Sequence, residues 1–232
     1  MNLDRDARAE RKARTQALLD AATEQFSRGV ISRADWQQQV SGALASAYLE
    51  DDDPRWQAGF DGDAALWREA RSLVLLAAPM RGSFLDVGCA NGHLLESFES
   101  WAAERGQCLE LYGLELNPDL ADVARRRLPH LAARIFTGNV SDWVPPRRFD
   151  CVRTGLEYVP PGEELALLRH IAFDIVDDTG RLLVGPINDE DLAITRELFT
   201  RAGLILSQVV SRTDHRGKVR HVVWSEVASI RR

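Results

Sequence analysis

The chain has 232 residues, of which 45% are hydrophobic and 28% charged, and its formal net charge is −6. These values are ordinary for a globular protein, so they exclude wholesale disorder, and the length allows one sizeable core with a small appendage. The negative charge disfavours general nucleic-acid binding, which requires a basic face to neutralise phosphates.

Three features bear on the compartment. The most apolar run, residues 73–80, is far too short to span a bilayer. The first residues are charged rather than apolar, so we expect neither a secretory signal nor a membrane segment. Cys89, Cys108 and Cys151 are odd in number and widely spaced, which disfavours a disulfide framework or a zinc site. We therefore predict a cytoplasmic protein that binds no metal.

The first helical pattern covers residues 4–49 and contains no proline. Gly29 interrupts it, and Ser32 followed by Asp35 resembles the capped start of a second helix over residues 33–49. One face of this second helix collects large side chains at helical spacing, namely Trp36, Val40, Leu44 and Tyr48.

An aromatic loop, residues 56–63, separates these helices from a third one. Asp63 is placed to cap the third helix, which we expect to end before Pro79. Residues 1–80 are therefore predicted to form a helical region, and residues 81–232 a separate domain.

Beyond residue 83, apolar runs alternate with helical patterns, which predicts parallel βαβ units with helices on both faces of a sheet. The expected strands are 84–89, 109–116, 133–137, 149–154, 181–186, 204–212 and 220–227, and the expected helices are 92–104, 118–128, 162–176 and 190–202. No helix separates the last two strands, so they should form a hairpin. The predicted fold is α/β: a doubly wound, seven-stranded, mostly parallel sheet with an antiparallel last strand, preceded by helices.

The segment after the first strand has an acid and three small residues at alternate positions: Asp86, Gly88, Ala90 and Gly92. Small residues let a ligand approach the backbone, and the following helix offers free N–H groups. The dinucleotide pattern G-x-G-x-x-G fits poorly, because His93 stands at its third glycine and Ala90 at its second.

With this spacing the chain resembles the class I, Rossmann-like S-adenosylmethionine-dependent methyltransferases over about residues 80–228. The resemblance implies S-adenosylmethionine as cofactor, S-adenosylhomocysteine as product, and a loop that bends under the methionine part. Asp86 would hold the cofactor's amino group, Glu115 the ribose hydroxyls and Asn139 the adenine. Ala90 departs from the family, where glycine is more usual, and so does Asn139, where aspartate is commoner. The implied cofactor residues are Asp86, Gly88, Cys89, Ala90, Asn91, Gly92, Glu115, Leu116, Asn139, Val140, Thr154 and Gly155.

The end of the fourth strand, which the resemblance places beside the transferable methyl group, carries the candidates for catalysis. Glu157 is the first candidate for a base or a substrate anchor, and Tyr158 for a residue that shapes the same pocket. Glu157 could equally be a solvated loop acid or a partner of Arg153. Arg153 lies in a central strand, where an unpaired charge is costly, so it must find a carboxylate.

The substrate should meet the carboxyl ends of the later strands and whatever the N-terminal helices supply. The candidate substrate residues are Trp56, Phe60, His93, Asn188 and His215. We expect the 56–63 loop to act as a lid, whereas residues 4–49 are left open between a lid and a dimerisation appendage. Basic residues cluster in the terminal hairpin, which could attract an anionic acceptor: His215, Arg216, Lys218 and Arg220.

The sequence therefore predicts methyl transfer from S-adenosylmethionine to an oxygen or nitrogen atom of a small molecule, by in-line displacement with positioning and desolvation. Two alternatives are a catalytically inactive cofactor-binding protein that acts as a regulatory partner and, less favoured, a nucleotide-dependent oxidoreductase. The expected partner is a small-molecule acceptor, without nucleic acid or membrane, and a homodimer is left open.

Overall fold

The computed structural model describes residues 2–227, with side chains from residue 6 onward, so the outer limits predicted at residues 1 and 232 lie outside the described part. Helices α1 and α2 span Asn2–Ser27 and Arg33–Leu49. The Ser32 hydroxyl accepts a hydrogen bond from the Asp35 amide, and the Asp35 carboxylate accepts one from the Ser32 amide. This reciprocal pair confirms the predicted start of α2.

Charged pairs hold α1 against the end of α2. Arg8 donates to both oxygens of Asp51, and Arg11 binds Asp51 and Glu50. Both guanidinium groups also lie over the ring of Trp56. The two acids that follow α2, Glu50 and Asp51, are thus paired with α1.

A 3₁₀ turn, Trp56–Ala58, leads to α3 (Ala64–Arg71) and α4 (Val74–Ala77). Asp63 caps α3 as predicted, by accepting from the Leu66 amide. The predicted single helix up to Pro79 is wrong, because the chain breaks after α3. The residues that follow are buried in succession, which one helix face cannot achieve, so the chain turns.

The seven strands form one sheet in the order β3-β2-β1-β4-β5-β7-β6. Strand β7 runs in the opposite direction to the other six. The strands are β1 Arg81–Val87, β2 Cys108–Glu115, β3 Ile135–Thr137, β4 Phe149–Thr154, β5 Val176–Ile187, β6 Leu206–Thr213 and β7 Val219–Glu226. The helices between them are α5 His93–Glu104, α6 Pro118–Arg127, α7 Glu164–His170 and α8 Asp189–Ala202. The predicted fold is confirmed.

Two apolar layers cover the sheet. Phe84 and Leu85, consecutive on β1, are both fully buried but belong to different layers. Successive side chains of a strand point to opposite faces, so a central strand needs apolar residues at every position. Among the described helices, none is both long and apolar enough to cross a membrane.

Candidate active site

A cavity of about 440 Å³ lies where β1, β2 and β4 end, beneath α2. Strand order reverses here, because β1 leads to β2 on one side and β4 lies on the other. Crevices at such a reversal are where open α/β sheets bind their ligands.

The glycine loop forms the floor of this cavity between β1 and α5. Gly88, Ala90 and Gly92 all have positive φ values, of 71°, 47° and 78°. Side chains other than glycine adopt this region at a cost, and Ala90 is the one residue here that bears it. A Cβ atom on Gly88 would overlap the ring of Tyr158, so the loop leaves no room for a larger residue.

Glu115 at the end of β2 is held by the backbone through both carboxylate oxygens. Oε2 accepts from the Ala90 amide at 2.8 Å and Oε1 from the Asn117 amide at 2.9 Å. Burial raises the pKa of the Glu115 carboxyl, and the hydrogen bonds from the backbone only partly offset this effect. Each oxygen has a second lone pair, so the carboxylate can also accept from ligand hydroxyls.

Asn139 beyond β3 is paired with a side chain of α2. Its Nδ2 donates to Gln37 Oε1 at 2.7 Å, and Gln37 Nε2 donates to Asn139 Oδ1 at 3.2 Å. Gln37 is 6% exposed. The sequence analysis missed Gln37, although a polar residue beside the large side chains of α2 is a signal that this face meets polar groups.

Arg153 on β4 finds its carboxylate in Asp86 of β1. The Nη1–Oδ1 distance is 3.1 Å, and the Arg153 Nε donates to the Gly185 carbonyl at 2.7 Å. Burial opposes the charge of Arg153, but Tyr158 and Asp86 outweigh it and raise its pKa. The pair fastens β1, β4 and β5 together directly under the cavity.

Tyr158 and Glu157, the two candidates for catalysis, both line the cavity. The Tyr158 hydroxyl accepts from Arg153 Nη1 at 3.3 Å, and burial raises its pKa, so it stays protonated. Glu157 is exposed, and its carboxylate lies against Gly155. Within residues 6–227 no hydrogen bond to the Glu157 carboxylate is found. Arg153 forms its ion pair with Asp86 instead.

Two arginines in the cavity wall lack acceptors. The Nε atoms of Arg71 on α3 and Arg220 on β7 are buried and have no hydrogen-bond partner within the described chain. Arg71 packs over the rings of Phe60 and Trp67, and burial together with nearby Arg153 lowers its pKa to about 10. The sequence analysis missed Arg71, because a basic residue in the last turn of a helix is ordinary.

Most residues predicted to bind the cofactor line this one cavity, namely Asp86, Gly88, Cys89, Ala90, Glu115, Leu116, Asn139, Val140 and Gly155. Three others lie outside its lining: Asn91, Gly92 and Thr154. Asn91 instead binds the Pro54 carbonyl, and the Thr154 hydroxyl donates to the Gly155 carbonyl.

The candidate substrate residues do not line the cavity. Trp56 donates to the Ala47 carbonyl, and Phe60 packs edge-on against Trp67. The other three have local partners: His93 binds Glu96 and stacks on Trp67, Asn188 caps α8, and His215 binds Glu69. The wall comes instead from the face of α2 that carries Trp36, Gln37, Val40, Ser41, Leu44 and Tyr48.

Residues 84–173 match the family model described as a methyltransferase domain, and no curated protein matches the chain. A solved structure of an S-adenosylmethionine-dependent methyltransferase from Aquifex aeolicus is 17% identical with a TM-score of 0.54, over 78% of this chain and 97% of that one. A chain of the complex between the Haloferax volcanii Trm112 methyltransferase activator and a methyltransferase is 16% identical with a TM-score of 0.57, over 70% of this chain and 90% of that one. Magnesium protoporphyrin IX methyltransferase from Synechocystis, with S-adenosylmethionine bound, is 16% identical with a TM-score of 0.55, over 82% of this chain and 96% of that one. At identities this low, the structural similarity establishes the fold alone.

The side chains of the cavity fit S-adenosylmethionine. A carboxylate with free lone pairs suits ribose hydroxyls, an amide suits adenine, and a guanidinium without an acceptor suits the cofactor's carboxylate. The described residues contain no cluster of three or more His, Cys, Asp or Glu arranged to hold a metal ion. The strand order, the glycine loop and the domain match agree: residues 84–173 match a methyltransferase domain, and the sheet has the fold of the class I, Rossmann-like S-adenosylmethionine-dependent methyltransferases.

Proposed function

We propose that this protein transfers the methyl group of S-adenosylmethionine to an oxygen or nitrogen atom of a small molecule enclosed beneath α2. The supporting observation is the cavity itself, which runs from Asn139 past the glycine loop to Glu157 and Arg220. A space of about 440 Å³ accommodates the cofactor and at most a small acceptor.

In this proposal the cofactor lies along the sheet edge. Asn139 meets the adenine, Glu115 the ribose hydroxyls and Asp86 the amino group, while Gly88 and Ala90 allow the methionine part to approach the backbone. Asp86 and Glu115 are both buried and line the same cavity, which is the arrangement such a ligand requires.

Helix α2 acts as the cap of the site. It contributes an apolar wall and the Gln37–Asn139 pair, and Asn117 donates to Ser41 on the same helix at 3.4 Å. A covering helix keeps water from the sulfonium and from the nucleophile.

Methyl transfer from a sulfonium needs alignment more than activation, because the cofactor already carries a reactive group. A base is required only where the acceptor atom is protonated at the working pH. Glu157 lines this wall and has no hydrogen-bond partner among the described residues, and we assign it that role or the role of an anchor. Tyr158 holds its proton and shapes the pocket.

Isothermal titration with S-adenosylmethionine tests the cofactor step, and transfer of a labelled methyl group to a panel of phenols, amines and acids tests the reaction. The absence of any affinity would refute the proposal. Affinity without transfer to any acceptor would favour the alternative, an inactive cofactor-binding partner.

Glu157→Gln tests the assignment of the base once an acceptor is found. We expect cofactor affinity to persist and kcat to fall, by about a hundredfold if Glu157 is a base. Glu190→Gln is the matched control, because Glu190 is exposed and does not line the cavity. Normal turnover of Glu157→Gln would remove the assignment.

A further inference from the structure

Arg71 and Arg220, whose Nε atoms have no acceptor in the described chain, differ from Arg153 and Arg212. Arg153 is satisfied by Asp86 and the Gly185 carbonyl, and Arg212 by the Glu69 carbonyl and the Ser72 hydroxyl. Arg71 and Arg220 each bury Nε without an acceptor in the described chain. A buried N–H group without an acceptor is costly, so such a group indicates a ligand that completes it.

Asp214 lies close enough to Arg220 for the charge of the arginine to help lower the pKa of its carboxyl. Asp214 accepts from the backbone amides of Arg216 and Lys218, both at 2.9 Å. Asp189 binds His221 at 2.9 Å. Within the described residues neither carboxylate accepts a hydrogen bond from Arg220 Nε, and Arg220 lines the cavity.

The sheet order separates Arg220 from the part of the cavity that suits adenosine. Glu115 and Asn139 follow β2 and β3, on one side of β1. Arg220 lies at the start of β7, three strand spacings from β1 on the other side, or about 14 Å. A cofactor bound over the glycine loop would leave Arg220 facing whatever lies beyond its methyl group.

Arg71 occupies a different place. It lines the cavity together with Asp86, Gly88 and Tyr158, at the glycine loop. It is therefore the arginine placed for the cofactor's own carboxylate. Of the three arginines that line the cavity, Arg71 and Arg220 have an Nε without an acceptor in the described chain, and the cofactor supplies one carboxylate.

We propose that the methyl acceptor carries a carboxylate and that Arg220 binds it. The proposal rests on the proposed function, because it assigns the acceptor to the same cavity. The wall beside Arg220 contains Pro186 and Ile187, and α2 adds Val40 and Leu44. The acceptor class is thus a small acid with an apolar or aromatic body that reaches the methyl group.

The test measures binding of benzoate and of its neutral counterpart benzamide to the protein saturated with S-adenosylhomocysteine. A guanidinium–carboxylate contact should favour benzoate by about tenfold or more. Arg220→Gln should abolish this preference while S-adenosylhomocysteine still binds. Lys218→Gln is the matched control, since it removes one positive charge from the same hairpin at an exposed residue outside the cavity lining, and it should keep the preference.

Three results would overturn the proposal. The first is equal affinity for the two probes, including no binding of either. The second is a preference for benzoate that survives in Arg220→Gln. The third is benzoate binding to the free protein that disappears when S-adenosylhomocysteine is added, which would assign the anion site to the cofactor's carboxylate.

These outcomes are separate from a failure of the proposed function. That failure would appear in the titration with S-adenosylmethionine, before any acceptor probe is added. A protein that binds the cofactor and transfers methyl groups only to neutral acceptors would keep the function and lose this inference.

Discussion

The two sides of the cavity are built differently. On the β2–β3 side, Gln37, Glu115 and Asn139 are held by hydrogen bonds to one another's elements without any ligand. On the β5–β7 side, Arg220 has a buried nitrogen without an acceptor and Glu157 has no hydrogen bond in the described chain. The first side is preorganised, whereas the second leaves Arg220 Nε without an acceptor in the described chain.

This difference suits two tasks of the site, namely binding of the cofactor and selection of the acceptor. Polar groups that satisfy each other cost little stability and keep their geometry, which suits a cofactor that is always the same. The Nε atoms of Arg71 and Arg220 have no acceptor in the described chain and gain one only on binding, which suits the cofactor's carboxylate at Arg71 and the selection of an acceptor at Arg220. Arg153 lies between the two sides and joins them.

The largest expected effect is the loss of the pair beneath the two sides. Arg153→Leu leaves the Asp86 carboxylate buried without its partner, and we expect a loss of about 3–5 kcal/mol in the free energy of unfolding. Urea denaturation measures it. The double variant Asp86→Leu with Arg153→Leu should recover part of this loss, because no isolated charge remains.

The exposed pair of Arg28 with Glu24 provides the control for this experiment. Arg28→Ala should change the free energy of unfolding by less than about 0.5 kcal/mol. A loss below about 1 kcal/mol in Arg153→Leu would show that the two sides are not joined through this pair.

Gln37→Leu breaks the preorganised side. It removes the reciprocal amide bonds to Asn139, so we expect a loss of about 1–3 kcal/mol in the free energy of unfolding. We also expect weaker cofactor binding in isothermal titration. Gln38→Ala, one residue away and exposed, should change neither quantity. An unaltered cofactor affinity would mean that α2 does not support the β2–β3 side.

Arg71→Met sharpens the contrast between paired and unpaired arginines. The substitution removes a charge that has no acceptor, at the expense of its contacts with Phe60 and Trp67, so the free energy of unfolding should change by less than about 1 kcal/mol. Affinity for S-adenosylmethionine should fall by about tenfold, or ~1.4 kcal/mol. Loss of stability without loss of affinity would make Arg71 a structural residue.

The smallest expected effect concerns the floor shared by both sides. Ala90→Gly relieves the left-handed backbone at φ 47°, but glycine also gains freedom in the unfolded chain. The two effects oppose, so the melting temperature should barely move, with a free-energy change of about 1 kcal/mol or less. A clear loss of cofactor affinity would show that the Ala90 methyl group contacts the ligand.

Much of the fold was predictable because its signals are local. The capped start of α2 at Ser32 follows from two side chains three residues apart, and β4 has the predicted bounds. The need of Arg153 for a carboxylate was also predictable, since a central strand has no water to solvate a charge. Which of the neighbouring acids it binds depended on strand register, and β1 pairs Asp86 opposite Arg153.

The walls of the site were harder to predict. Trp56 and Phe60 were predicted to contact a ligand because their loop leads into the helix before β1, and His93 because it begins the helix after the glycine loop. Each is packed or bonded within the surrounding helices and loops. Gln37 and Arg71 looked ordinary. Periodicity shows that one face of a helix is covered, but it does not show what covers it.

By itself, the sequence determined the alternation of strands and helices, the glycine loop and the acids that follow the first two strands, because each depends on spacing along the chain. Only the tertiary structure decided that α2 covers the cavity and that Arg220 turns into it without an acceptor. Those outcomes depend on contacts between residues more than a hundred positions apart, such as Gln37 with Asn139. Local spacing carries no record of such contacts, because packing between distant elements creates them.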